Sequence, residues 1–208
     1  VALSEKFAGD IHQKQLWLNY LDKVQNNFSR KFFDEQAEVL RDVVDGPDHQ
    51  DEFRLRPNGL YVLALSPELL SPAQAQKALL KIEENLKTPY GFRSLAPYDP
   101  SYKGKYEGDI WARDLAYHQG TVWAFLVGVY SDAVLNVRGH TKAQKQYLSD
   151  YLQPLLDHST NATLGHINEI YWGNAPYTLA GCWAQAWSDA EVLRVLYNLN
   201  LIWYINNK

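Results

Sequence analysis

The chain has 208 residues, of which 46% are apolar and 21% charged, with a formal net charge of −4. That is the composition of one soluble globular domain, and it argues against disorder. No Lys/Arg cluster supplies the positive stripe that counterion release on nucleic acid requires, and the longest apolar run, Val122 to Tyr130, falls far short of the roughly 20 residues that span a bilayer. Neither a nucleic-acid nor a membrane partner is therefore expected, and no internal domain boundary is visible within 1–208.

In chain order, Leu16, Tyr20, Leu21, Val24 and Phe28 repeat at three-to-four spacing, which predicts a helix over about 10–31 with that face turned inward. A stretch from about Asn58 to Leu69 is apolar nearly all round and predicts a second, buried on more than one side. Ser71-Pro72-Ala73-Gln74 combines an N-cap, a proline at the first helical position and a capping-box glutamine, and opens a third helix through Ala78, Leu79, Ile82 and Leu86. A fourth is predicted over about 118–137, stopping near Gly139. Thr141-Lys142-Ala143-Gln144 repeats the capping pattern ahead of a fifth, with Leu148, Tyr151, Leu152 and Leu155 inward. A sixth is predicted over about 183–204, with Trp187, Ala190, Leu193, Leu196 and Tyr197 on one stripe. No strand-like alternation is visible, so the expected class is all-α.

The connections alternate in length. Those near 32–57, 87–116 and 159–182 are long, whereas those at Leu70-Ser71 and Arg138-Gly139-His140 are minimal. In antiparallel succession every second connection returns to the same end, so the three long ones should share a rim. They carry Tyr90, Tyr98, Tyr102, Tyr106, Trp111, Tyr171, Trp172 and Tyr177, interspersed with Asn, Asp, Glu and Gly. A solvent-facing rim of flat rings beside hydrogen-bonding groups suits a sugar polymer. Protein-interface aromatics are the competing explanation.

Within the third long connection, Gly165-His166-Ile167-Asn168-Glu169-Ile170-Tyr171-Trp172-Gly173 sets one carboxylate among rings and glycines with no local counter-charge. Glycoside hydrolysis needs a carboxyl acid and a carboxylate base or nucleophile, and Glu169 suits the basic role; a solvated loop glutamate is the bland alternative. Arg113 and Asp114 read as a bracing pair, Asn58 as a helix cap, and His118, Gln119 and Trp123 as residues of a helix's first turns. His166 and Glu169 are three apart, but no second His/Cys cluster has zinc-site spacing, so neither metal nor cofactor is expected. Cys182, the only cysteine, excludes an intrachain disulfide and favours a reducing, cytoplasmic setting; such a residue is usually a small buried hydrophobe. The start, Val-Ala-Leu-Ser-Glu-Lys, lacks a basic n-region, an apolar h-region and an initiator Met, which reads as a chain beginning inside a larger polypeptide.

Five ordered blocks then carry a resemblance. Arg56-Pro57-Asn58, Thr88-Pro89-Tyr90-Gly91-Phe92-Arg93, Tyr117-His118-Gln119-Gly120-Thr121-Val122-Trp123, Ile167-Asn168-Glu169-Ile170 and Gly181-Cys182-Trp183-Ala184-Gln185-Ala186-Trp187 resemble the amylo-α-1,6-glucosidase domain of glycogen debranching enzymes. The resemblance implies an (α/α)₆ toroid with its site in a funnel at one end, inverting hydrolysis of α-1,6-linked glucose, and a glycogen-derived oligosaccharide as ligand. It places the base on Glu169 and lines the subsite with Tyr117, His118, Gln119 and Trp123. Asn58, Tyr90 and Arg93 lie nearby, and Gln185 and Trp187 form walls. Where the family has Pro-Trp and Phe-Asp-Gly, this chain has Ala124-Phe125 and Tyr171-Trp172-Gly173. The family's acid aspartate lies ahead of anything equivalent to Val1, and six predicted helices are half a ring of twelve. The chain is thus expected to be the C-terminal half of the glucosidase domain, inactive alone and completed by the missing half or a second copy. A sugar-binding or regulatory domain without catalysis is the alternative.

Overall fold

The structure, a computed structural model, describes residues 11–46 and 53–201. Seven α-helices occur among them: α1 (Ile11–Phe32), α2 (Gly59–Leu65), α3 (Pro72–Leu86), α4 (Ile110–Tyr117), α5 (Leu126–Arg138), α6 (Lys142–Asn161) and α7 (Ala186–Asn198). Residue 10 and residues 202–204 of the predicted first and sixth helices lie outside the described residues, as do 47–52 of the first long connection. No helix of the described residues is long and apolar enough to cross a membrane.

The expected all-α class is met only in part: about half of the chain is helical, and two antiparallel sheets accompany the helices. Strands β1 (Phe33–Asp34) and β2 (Val39–Leu40) form a hairpin, and β3 (Lys87–Thr88), β4 (Gly91–Arg93), β5 (Val122–Trp123), β6 (Ile170–Tyr171) and β7 (Leu179–Ala180) form an antiparallel sheet in sequence order. Each strand has two or three residues, too few for alternation to register in sequence. Phe92 pairs with Trp123, Trp123 with Ile170, and Ile170 with Ala180. This sheet is made from two of the predicted long connections together with the start of the predicted 118–137 helix, and its hydrogen bonds answer the buried backbone of segments that would otherwise be irregular.

Helix α5 is central, packing on α2, α3, α6 and α7. Leu126–Ser131 and Ala133–Leu135 are all buried, so it has almost no solvent face. It meets Leu60 and Leu63 of α2, Leu79, Ile82 and Leu86 of α3, Leu148, Leu152 and Leu155 of α6, and Val192, Val195 and Leu196 of α7 in one cluster. Truncating one of these leucines to alanine costs about 2–5 kcal/mol. Beside this core Glu83 accepts from Tyr130 Oη at 2.6 Å and from both terminal guanidinium nitrogens of Arg138, joining α3 to α5. Burial, then the Glu83 charge, pushes the Tyr130 phenol far up.

Local signals explain several boundaries. The Ser71 capping box forms in both directions, and α5 ends on Gly139 at φ 88°. At α6 only half the box forms: Thr141 accepts from Gln144 N–H, while Gln144 Oε1 is buried without a partner. Pro67 ends α2 early and turns residues 67–69 into a 3₁₀ turn. The predicted 118–137 helix starts only at Leu126, because Gly120 at φ 141° reverses the chain and Val122-Trp123 pair as strand β5. The predicted inward stripe of α1 points outward: Leu16, Tyr20, Leu21 and Val24 are 37–51% exposed. On α7 the predicted stripe splits, with Leu196 buried beside Ser188, Val192 and Val195 while Trp187, Leu193 and Tyr197 are exposed.

Candidate active site around Glu169

Glu169 stands just before β6, where the sheet ladder continues past its last paired residues. Its N–H donates to Cys182 O at 2.8 Å on the β7 side, and its carbonyl accepts from Ala124 N–H at 3.5 Å on the β5 side. The side chain is held as well: Tyr117 Oη donates to Oε1 at 2.6 Å and Cys182 N–H donates to Oε2 at 2.9 Å. Gly181, at φ 69°, makes this approach possible, because a Cβ there would overlap Oε2. Burial, and then the Glu169 hydrogen bond and charge, push the Tyr117 phenol up, so it stays a neutral donor. Each carboxylate oxygen thus accepts one fixed bond and keeps acceptor capacity for another.

Tyr117 joins Glu169 to a cluster of rings. Tyr117 meets Trp123 edge-on at 4.7 Å, and the Trp123 indole donates to Tyr117 O at 3.2 Å. His118 lies parallel to Trp123 at 5.3 Å and 1°, and Trp187 stacks on Phe125 at 4.6 Å. His118, Trp123, Phe125 and Trp187 share a cavity of about 250 Å³ with Arg56, Asn58 and Tyr61. Glu169 does not line that cavity; the Tyr117–Trp123 contact links the two.

The predicted residues fall into three groups. Glu169, Tyr117, His118, Trp123 and Trp187 come together, although His118, Gln119 and Trp123 sit in a turn and in β5 rather than at a helix start. Asn58 lines the cavity but caps nothing: its amide donates to Asp42 Oδ1 at 2.7 Å. Gln119 accepts from Arg56 at 3.0 Å, and Gln185 sits at the N-cap of α7 with its N–H on Ile167 O. Arg93 and Tyr90 belong elsewhere. Arg93 donates to Gly173 O and Asn85 O, bracing backbone, and Tyr90 stacks on Tyr171 at 4.7 Å with His158 and Tyr177 against its edge. Tyr171, expected on the rim, is fully buried beneath it.

Other expectations change too. Cys182 is exposed, its thiol on Ala184 O, because its backbone serves Glu169. His166 pairs with Asp189 at 2.9 Å, and Arg113 and Asp114 form no ion pair with each other. Among the described residues no three His, Cys, Asp or Glu side chains converge to hold a metal ion.

The three long connections do meet. Arg56 donates to Ser94 O and His118 O, Asn174 N–H donates to Gly104 O, and the Trp172 indole donates to Tyr106 O. Arg56, Phe125 and Tyr61 were not singled out in sequence as site residues. Arg56 had a usable signal, lying in the same block as Asn58, whereas Tyr61 reads as an ordinary apolar helix position.

The family described as amylo-alpha-1,6-glucosidase matches residues 1–194. The chain is 28% identical to the glycogen debranching enzyme of Saccharomyces cerevisiae over 77% of its own length, and it spans 12% of that protein.

Proposed function

This chain belongs to the amylo-alpha-1,6-glucosidase family, and from that premise we propose that it is the base-bearing part of a debranching-type glucosidase domain. The reaction is inverting hydrolysis of an α-1,6-linked glucose on a glycogen-like glucan. Glu169 takes a proton from water as the water attacks the anomeric carbon, on the face opposite the departing glycosidic oxygen. An acid from outside this chain protonates that oxygen as the bond breaks, so the proton count balances. The Tyr117 and Cys182 bonds fix the carboxylate, and the cavity walled by His118, Trp123, Phe125 and Trp187 takes the glucose ring against flat aromatic faces.

The observation that carries this reading is a half-buried carboxylate, held on both oxygens, one ring away from an aromatic cavity. The exposed apolar face of α1 supports a helical half-ring of (α/α)₆ type whose other half would cover that face. Glu169→Gln in the whole native polypeptide is the test, since it keeps shape and removes the basic charge. Loss of turnover with oligosaccharide binding retained is expected. Unchanged hydrolysis would remove Glu169 from the mechanism.

A further inference from the structure

A carboxylate is placed only as well as the backbone that carries it, and residues 165–168, leading to Glu169, belong to no strand or helix. Their anchor is the first turn of α7. Gln185 N–H donates to Ile167 O at 3.1 Å. Asp189, in that first turn, accepts from Ile167 N–H at 2.6 Å on Oδ1 and pairs with His166 Nδ1 at 2.9 Å through Oδ2. Ile167 is therefore tied on both its N–H and its C=O, with its side chain 4% exposed. Asn168, 2% exposed, then spans to Ile170 O and Ala180 O, and Glu169 follows.

An acidic residue in a helix's first turn ordinarily serves its own helix, by capping or by its charge against the macrodipole. Here both oxygens leave the helix for the loop, and α7 has no side-chain cap bond of its own. Asp189 touches neither Glu169 nor the aromatic cavity.

We infer that Asp189 is a positioning residue for the hydrolytic site, holding the 166–167 backbone to α7 so that Glu169 enters β6 at one fixed place. The inference rests on Glu169 being the base. Catalytic groups displaced by about 1 Å lose on the order of 100-fold in rate while substrate contacts made elsewhere survive.

The test uses the whole native polypeptide. Asp189→Ala should lower kcat by about 10- to 100-fold with oligosaccharide affinity retained, and amide exchange at Ile167 should accelerate. Asp189→Asn keeps an acceptor for the Ile167 N–H and should restore kcat. Val195→Ala, buried on the same helix in the core cluster, controls for general loss of stability. Unchanged kcat in Asp189→Ala overturns the inference. So does an equal fall in Val195→Ala at matched Tm, or a folded Asp189→Asn that fails to rescue. Should Glu169→Gln leave hydrolysis intact, the base reading fails on its own, while Ile167 exchange still reports whether Asp189 holds the loop.

Discussion

Removing the Tyr117 hydroxyl separates two roles that the site geometry allows this residue. Tyr117→Phe keeps the ring against Trp123, His118 and Tyr106, and the backbone carbonyl that receives the Trp123 indole is untouched. Only the 2.6 Å bond to Glu169 Oε1 is lost. A hydrogen bond to a charged acceptor contributes about 1.5–3 kcal/mol, and water reaching the half-buried carboxylate recovers part of it, leaving a net loss of about 1–1.5 kcal/mol. Spent on orienting Glu169 as the proposed base, that loss is about a tenfold fall in kcat with KM unchanged. Steady-state kinetics on a branched α-glucan, beside thermal unfolding of the same variant, reads both quantities. A raised KM at unchanged kcat would instead make Tyr117 a sugar contact and refute its role through Glu169. A thermodynamic cycle with Glu169→Gln should show coupling of about 1 kcal/mol, and additivity of the two changes would argue that the bond does not form.

Three further outcomes follow from the same geometry. Gly181→Ala should abolish turnover nearly as completely as Glu169→Gln, because its Cβ displaces the carboxylate at a φ of 69°; near-normal kcat would show that the loop relaxes freely. Arg56→Ala strands Ser94 O, His118 O and Gln119 Oε1 and should cost about 2–3 kcal/mol in urea unfolding, with a loss under half of that showing that water replaces the guanidinium. His158 is held below its ordinary value of 6.5 by burial, so the unfolded chain binds its proton more readily. Its contribution to stability is therefore complete above about pH 6.5 and is lost as pH falls from there through the lower folded value. His158→Gln should flatten that part of a stability-against-pH curve measured by denaturant titration, and an unchanged curve would assign the slope to other groups.

Much of the scaffold was legible in the chain itself. The capping box at Ser71 and the stop at Gly139 depend on bonds within a few residues, so the local sequence determined them. The apolar stripes of α3 and α6 also face the core as their spacing predicts. The same periodicity on α1 predicts the helix but not which way its apolar face turns, since spacing reports which residues align and not what lies opposite them. Helix α4 escaped because only Ala116 in its eight residues is buried, while Ile110, Trp111 and Leu115 are exposed, leaving no core-facing pattern.

For the site, the sequence by itself determined that Glu169 sits among rings and glycines without a nearby cation, and the five ordered blocks tied it to Tyr117, Trp123 and Trp187. Tertiary structure alone decided how the carboxylate is held, because its partners are 52 residues before it and 13 after it in the chain. It also decided that Asn58, Gln119 and Arg93 make protein hydrogen bonds, and that Arg56 and Asp189 matter to the site's shape. The physical reason is the sheet. Strands of two or three residues have no propensity signal of their own, and form only when helices packed around α5 bring these segments together and leave their backbone groups to satisfy each other.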